Sequence, residues 1–214
     1  MTYKLHCFCQ SGNAFKAATM LNLLGEPWEP VLIDFFAGET RRPEWRENVN
    51  QMGEAPVLED GPLRLSQSGV ILDYLAEKHG RFGGASAADR REILRWILFD
   101  NHKFTSYLAT YRFLKAFMPK DPDPAVLAWL RSRIDAAFAI AEKRLAESDF
   151  VAGPDLTIAD ISMCGYLFYP AEEHGYDFPA SHPNIARWLG RIAERNGFRL
   201  PYDTLPGARM APLR

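Results

Sequence analysis

The chain has 214 residues, 47% hydrophobic and 24% charged, with 25 Lys and Arg against 27 Asp and Glu for a formal net charge of −2. That length supports one large domain or two small ones, and the near-neutral balance excludes a field that would gather nucleic acid or an anionic membrane. No apolar run is long enough to span a bilayer, and the three cysteines, with no C-x-x-C pair among them, point to neither a disulfide framework nor a zinc site.

In chain order, Tyr3 to Cys9 has the length and flanks of a buried strand. Ala14 to Leu24 places Ala14, Ala17, Ala18, Leu21 and Leu24 at helical spacing, with Gly25 where a C-terminal cap belongs. Pro30 to Phe36 reads as a second strand, and the short helical crossover makes parallel pairing the expected arrangement. Arg41 to Asn50 is a charged, weakly ordered helix. Ala55 to Leu65 is two short apolar runs about Asp60-Gly61, a hairpin signal, with Pro56 opening the first strand, where its missing N–H matters little. Ser66-Gln67-Ser68 offers N-cap hydroxyls to a helix carrying Val70, Ile71, Tyr74 and Leu75 on one face and ending at His79-Gly80. The order β-α-β-α-β-β-α makes residues 1–80 a compact α/β domain.

Arg81 to Ser86 is glycine-rich and breaks the pattern, and residues 87–214 form an all-helical domain. Ile93, Trp96, Ile97, Phe104, Tyr107, Tyr111 and Leu114 keep one face of a long helix that stops before Pro119. Val126 to Ser148 is another, with Leu127, Leu130, Ile134, Phe138, Ala141 and Leu145 in register. Thr157-Ile-Ala-Asp160 is a capping box ahead of an apolar helix through Tyr169. Ser181-His-Pro183 starts a last helix holding Ile185, Trp188, Leu189 and Ile192, and the tail from Gly197 is irregular. The N-terminus lacks the basic-then-apolar pattern of a secretory signal, so a reduced, cytoplasmic setting is expected.

Four motifs in this order resemble the cytosolic glutathione S-transferase family, in its bacterial-type, serine-dependent form: Ser11-Gly12-Asn13 opening the first helix, Ala55-Pro56 at a strand start, Gln67-Ser68 at the third helix, and Thr157-Ile-Ala-Asp160 in the helical domain. The resemblance spans essentially the whole chain. It implies a thioredoxin-like N-terminal domain that binds glutathione, an all-α C-terminal domain shaping a pocket for a small apolar electrophile, and a homodimer. The only cofactor implied is glutathione itself, as co-substrate. The five histidines show no ligand spacing, so no metal is expected.

Residue by residue, Ser11 lies at a helix N-terminus, where a hydroxyl can donate to a thiolate and the helix dipole favours negative charge. Asn13 can add a side-chain donor. The plain alternative is that Ser11 only caps the helix. Cys9 is the competing nucleophile or thiol partner, since a different alignment of Gln10 would put it at the catalytic position; Cys7 and Cys9 also read as ordinary buried thiols on one strand face. Ala55-Pro56 matches a dipeptide whose proline is cis in the family, and glutathione's cysteinyl backbone would pair with Ala55. Where many members carry Lys or Arg before this dipeptide, Glu54 stands here, so only its backbone is expected to touch the ligand. Arg41 or Arg42 is then left for the glycine carboxylate. The resemblance assigns Gln67 and Ser68 to the γ-glutamyl carboxylate, a natural guest for a helix N-terminus. Asp100 is a candidate for the γ-glutamyl ammonium across a dimer interface. Phe104, Tyr107 and Tyr111 are candidates for the electrophile pocket, against the plain alternative of helical core. The expected activity is attack of the glutathione thiolate on apolar electrophiles. The rival readings are a glutathione-dependent disulfide reductase or peroxidase and a non-catalytic glutathione-binding interaction protein.

Overall fold

A computed structural model describes residues 2–213 and resolves two compact units, one built on residues up to 81 together with 195–209, the other on 82–194 together with the residues from 210 on. The first unit is thioredoxin-like. Its sheet has the order β2-β1-β3-β4, with β1 (Tyr3–Cys7) parallel to β2 (Trp28–Leu32) and antiparallel to β3 (Val57–Asp60), which forms a hairpin with β4 (Leu63–Ser66). Alternation along β1 buries Tyr3, Leu5 and Cys7 and turns Lys4 outward. Helices α1 (Gly12–Leu24), α2 (Pro43–Asn48) and α3 (Ser68–His79) belong to the same unit. α1 and α3 pack together, and Leu5, Phe15, Leu21, Leu58, Ile71, Leu72 and Leu75 are all buried in its core.

Three local expectations are corrected here. β2 stops at Leu32 instead of running to Phe36, because Ile33 and Phe35 leave the sheet edge to fill an apolar cluster with Phe8, Trp45 and Val57. On α3 the buried face is Ile71, Leu72, Leu75 and Ala76, while Val70 stays 50% exposed. No serine hydroxyl caps that helix; Gln67 occupies its N-cap with φ 69° and ψ 113°. A side chain at positive φ with that ψ lies outside the ordinary left-handed basin and stores strain.

The second unit is all helical. α4 (Ala87–Phe99) opens on a Ser86–Asp89 capping box. The expected long helix does run on to Phe117, but it is broken by two π turns, Asp100–Phe104 and Phe113–Phe117, that flank α5 (Thr105–Arg112). A wider turn rotates everything after it. The buried stripe therefore passes from Ile93, Trp96 and Ile97 to Phe104, Leu108, Arg112 and Ala116, leaving Tyr107, Tyr111 and Leu114 half-buried at its border. α6 (Pro124–Glu147), α7 (Ile158–Met163), α8 (Ala171–His174), α9 (Phe178–Ser181) and α10 (Pro183–Ala193) follow. The apolar helix from Ile158 ends at Met163 and gives way to a tight turn over Cys164–Tyr166. The Thr157–Asp160 capping box is present as expected. Residues 195–209, including the short α11 (Pro201–Thr204), group with the first unit, where Phe198 meets Phe15 edge to face.

Candidate functional site

The turn that leaves β1 sets the first functional group. Ser11 donates its N–H to the Phe8 carbonyl at 3.0 Å and stands in an extended conformation as the N-cap of α1, where its Oγ accepts from the Ala14 N–H at 3.1 Å. The cap uses a lone pair on Oγ, so the hydroxyl proton is still there to donate. Ser11 is buried. Capping and thiolate stabilisation thus draw on different parts of one hydroxyl and do not compete.

Helix α3 brings the second group to the same place. Ser68, also buried, points its Oγ at Asn13 Oδ1 at 3.5 Å, which joins the N-terminal turns of α1 and α3. Two helix N-termini, whose first N–H groups have no carbonyl partner within their own helix and whose dipole ends are positive, therefore lie side by side. Gln67 Nε2 donates to Glu54 Oε2 at 2.6 Å. The Glu54 side chain thereby orients Gln67, and its carbonyl accepts from Asn50 Nδ2 at 2.9 Å. The Ala55–Pro56 peptide is cis, with Ala55 half-buried just ahead of β3.

Arg46 was passed over in the sequence. Its guanidinium lies over the turn before Glu54: a Cβ on Gly53 (φ +69°) would meet Arg46 Nη2 at 2.8 Å and the Thr40 carbonyl at 2.9 Å, so only glycine fits. Arg41 lies against Gly38 instead, and Arg42 is exposed at the start of α2. No local pattern singles out Arg46, because the turn that brings it close is held by the tertiary position of Trp45, the buried residue of α2.

The cysteines sit behind this turn. Burial pushes the Cys7 thiol up to about 12, so it stays protonated and inert. Cys9 lies beyond the strand end, almost fully buried, and donates its Sγ–H to the Ala208 carbonyl at 3.3 Å. Beside it, Phe8 stacks on Phe35 with centroids 4.5 Å apart and meets Phe36 edge to face; Phe36 is 38% exposed.

The helical unit places its candidates apart from one another. Phe104 is fully buried between Phe99 and Phe138. Tyr107 is half-buried against Trp129, and Tyr111 reaches towards Gly175. Asp100 is not available to a ligand. It is fully buried and accepts from Thr105 and, at 2.6 Å, from Ser162 Oγ, so the expected reach across an interface is corrected to a role inside its own unit. Among the described residues no group of His, Cys, Asp and Glu side chains is placed to hold a metal, and no helix is long and apolar enough to cross a membrane.

Comparison with known proteins bears on this geometry. Residues 1–77 match the glutathione S-transferase N-terminal domain and residues 104–196 the C-terminal domain. Glutathione S-transferase F14 of Arabidopsis thaliana is 30% identical over 202 residues, 90% of this chain and 79% of that protein. Crystal structures of glutathione S-transferases from Pseudomonas fluorescens and Xanthobacter autotrophicus each superpose with a TM-score of 0.85 at 29% identity. Each alignment covers 94% of this chain, with 99% and 98% of the respective partner. With its thioredoxin-like first unit, its helical second unit and a buried serine capping α1, this chain belongs to the glutathione S-transferase family.

Proposed function

We propose that the protein is a cytosolic, serine-type glutathione transferase in which Ser11 holds the glutathione sulfur as a thiolate for attack on a small apolar electrophile. The observation that supports this most is the pairing of two helix N-termini through Ser68 and Asn13, with the Ser11 hydroxyl, already engaged as an acceptor by Ala14, offering its proton next to them. A free thiol has a pKa of about 8.5, so only a few per cent is ionised at neutral pH. A hydrogen bond to the charged sulfur contributes about 1.5–3 kcal/mol and a helix dipole about 0.3–1 kcal/mol. Together they lower that pKa by roughly 1.3 to 3 units, which raises the thiolate from a few per cent to about two-fifths or more of the bound form at neutral pH.

In the reaction the thiol proton leaves to solvent and the sulfur lone pair forms a bond to the electrophilic carbon. The bond from that carbon to its leaving group breaks, and the leaving group departs with the electron pair. Asn13 assists at the sulfur. The start of α3, with Ser68 and a Gln67 oriented by Glu54, receives the γ-glutamyl carboxylate. Ala55 and Pro56 take the cysteinyl backbone, and Arg46 takes the place first considered for Arg41 or Arg42 at the glycine carboxylate. On the first unit the Phe8, Phe35 and Phe36 rings offer an apolar platform for the second substrate. Tyr107 and Tyr111 are the candidates from the helical unit. The exposed Leu63 and Val70 of the first unit, and Leu94 and Leu98 of the second, are apolar side chains for a second copy to cover in a homodimer.

The test is glutathione binding by calorimetry, followed by turnover of a chloronitroaromatic and of a small disulfide. Ser11→Ala is expected to lose about a hundredfold in kcat, as for removal of one donor to a developing anion, while Cys9→Ala keeps most of the activity. Full activity in Ser11→Ala with loss in Cys9→Ala overturns the assignment. Turnover of the disulfide alone moves the protein to the reductase reading, and binding without any turnover moves it to the non-catalytic one.

A further inference from the structure

The last fifteen residues of the first unit, 195–209, run the length of α1. Near its C-terminal end, Gly197 (φ +91°) passes so close to the Asn22 carbonyl that a Cβ there would sit 2.3 Å from that oxygen. In the first turn Phe198 packs on Phe15 with centroids 6.2 Å apart. Pro201 and Leu205 are buried. At the N-terminal end the Ala208 carbonyl accepts from two successive residues of the turn that carries Ser11, Gln10 Nε2 at 2.8 Å and Cys9 Sγ at 3.3 Å. Gly207 (φ +105°) makes that approach possible, since a Cβ on it would lie 3.3 Å from Leu32 Cδ1 and 3.6 Å from Cys9 Sγ.

We propose that residues 195–209 are a clamp on α1 and that Gln10 is a positioning residue, which by donating to the Ala208 carbonyl fixes the turn from which Ser11 faces the glutathione sulfur; this rests on the function proposed above. The contacts fall on the last turn of the helix, on its first turn and on the turn ahead of it, and the last of them lands on the residue next to Ser11. Gln10 is itself buried, so its carboxamide is held by protein and not by solvent. A hydroxyl aimed at a developing anion stabilises it most when its direction is set beforehand. Local bonds from Phe8 and Ala14 hold Ser11 to its own segment, whereas the Ala208 carbonyl ties that segment to a part of the fold 198 residues away.

Gln10→Leu removes the donor and keeps the volume, and the exposed Ala208 still accepts from Cys9. Gly207→Ala strains the clamp backbone at φ +105°, next to the accepting Ala208 carbonyl, and serves where Gln10→Leu fails to fold. Two readouts apply, hydrogen exchange at the Ala14 and Phe15 amides and the apparent pKa of enzyme-bound glutathione, read from thiolate absorbance against pH. The variants are expected to exchange those two amides about tenfold faster than the wild type while the amides of β3 are unchanged. The bound thiol is expected to rise by about one unit, a tenfold loss of thiolate at a given pH, with the KM for glutathione within about twofold. Wild-type exchange at Ala14 and Phe15 overturns the clamp. Faster exchange with an unmoved thiol pKa overturns the positioning role. If the wild type itself leaves bound glutathione at its solution pKa, the proposed function fails, and the exchange result still decides the clamp.

Discussion

Asp160 is fully buried and accepts four hydrogen bonds, from the Val151 N–H and Trp188 Nε1–H on Oδ1 and from the Thr157 N–H and hydroxyl on Oδ2, all between 2.9 and 3.0 Å. Burial pushes its carboxyl up and these donors act in the opposite direction. Asp160→Asn keeps the shape and supplies only one acceptor oxygen. With that oxygen on the Val151 and Trp188 side, the new amide faces the Thr157 N–H, donor against donor, while the Thr157 hydroxyl turns to accept. One backbone donor is left unpaired and the remaining bonds lose their charge assistance, a cost of about 2–4 kcal/mol. Asp160→Ala leaves three N–H groups without a partner and is expected to cost more than about 4 kcal/mol, the range of severe core lesions. Thr157→Ala removes the side-chain cap and one of the four donors while three still hold the carboxylate, for about 1–2 kcal/mol. Urea denaturation at unchanged m-value gives the three numbers. The order Thr157→Ala, Asp160→Asn, Asp160→Ala is the content of the prediction. An Asp160→Asn variant no less stable than Thr157→Ala would refute the reasoning from donors and acceptors.

Two further outcomes are expected. His174 donates through Nε2 to the Tyr169 carbonyl and accepts at Nδ1 from the Tyr176 N–H, and burial, aided by Arg112, Lys115 and Arg131, lowers its pKa from 6.5 to about 4. The unfolded chain takes up this proton first, so stability is complete above about pH 6.5 and falls as pH drops towards 4, by about 3 kcal/mol in total. Denaturation midpoints across that window measure the loss, and a His174→Gln variant, which cannot titrate, should flatten that part of the profile. Gln67→Gly removes a side chain from φ 69°, ψ 113°. Relief of about 1–3 kcal/mol of strain is partly offset by the extra freedom of glycine in the unfolded chain. Thermal melts should therefore show equal or slightly higher stability, while calorimetry shows weaker glutathione binding; a variant that binds as well as the wild type removes Gln67 from the site.

The parts of the fold that were legible in the sequence are those decided within a few residues. Ser11 and Gly25 bound α1, Asp60-Gly61 turns the hairpin, and Thr157 with Asp160 starts α7, each by a hydrogen bond or a backbone angle that local sequence specifies. What escaped depends on contacts distant in sequence. Ile33 and Phe35 look like strand and become core because Trp45 and Val57 are waiting for them. Tyr107 and Tyr111 follow a 3.6-residue period from Ile93, but the π turn at Asp100–Phe104 breaks that period, and the stripe moves to Leu108 and Arg112. In the candidate site, Asn13, two residues after Ser11, meets Ser68 at 3.5 Å. The use of the Glu54 side chain to hold Gln67, and of Arg46 over Gly53, has no local signature.

The Ser11 hydroxyl also explains why a cap and a donor can be the same residue at no conflict. An N-cap that accepts from Ala14 has its rotamer set by the helix it begins, so the oxygen is placed before any ligand arrives and its proton can turn to one. A donor ordered in the resting protein contributes more to an anion than one that must be ordered on binding. Sulfur in the same place would accept the Ala14 N–H more weakly and at a longer distance, and the turn would lose part of what orders it. The two cysteines nearby are held in ways that keep them out of that role: Cys7 by burial that favours the neutral thiol, Cys9 by giving its proton to Ala208. Under the proposed function the chemistry therefore falls to Ser11, whose hydroxyl oxygen is placed by the helix it begins.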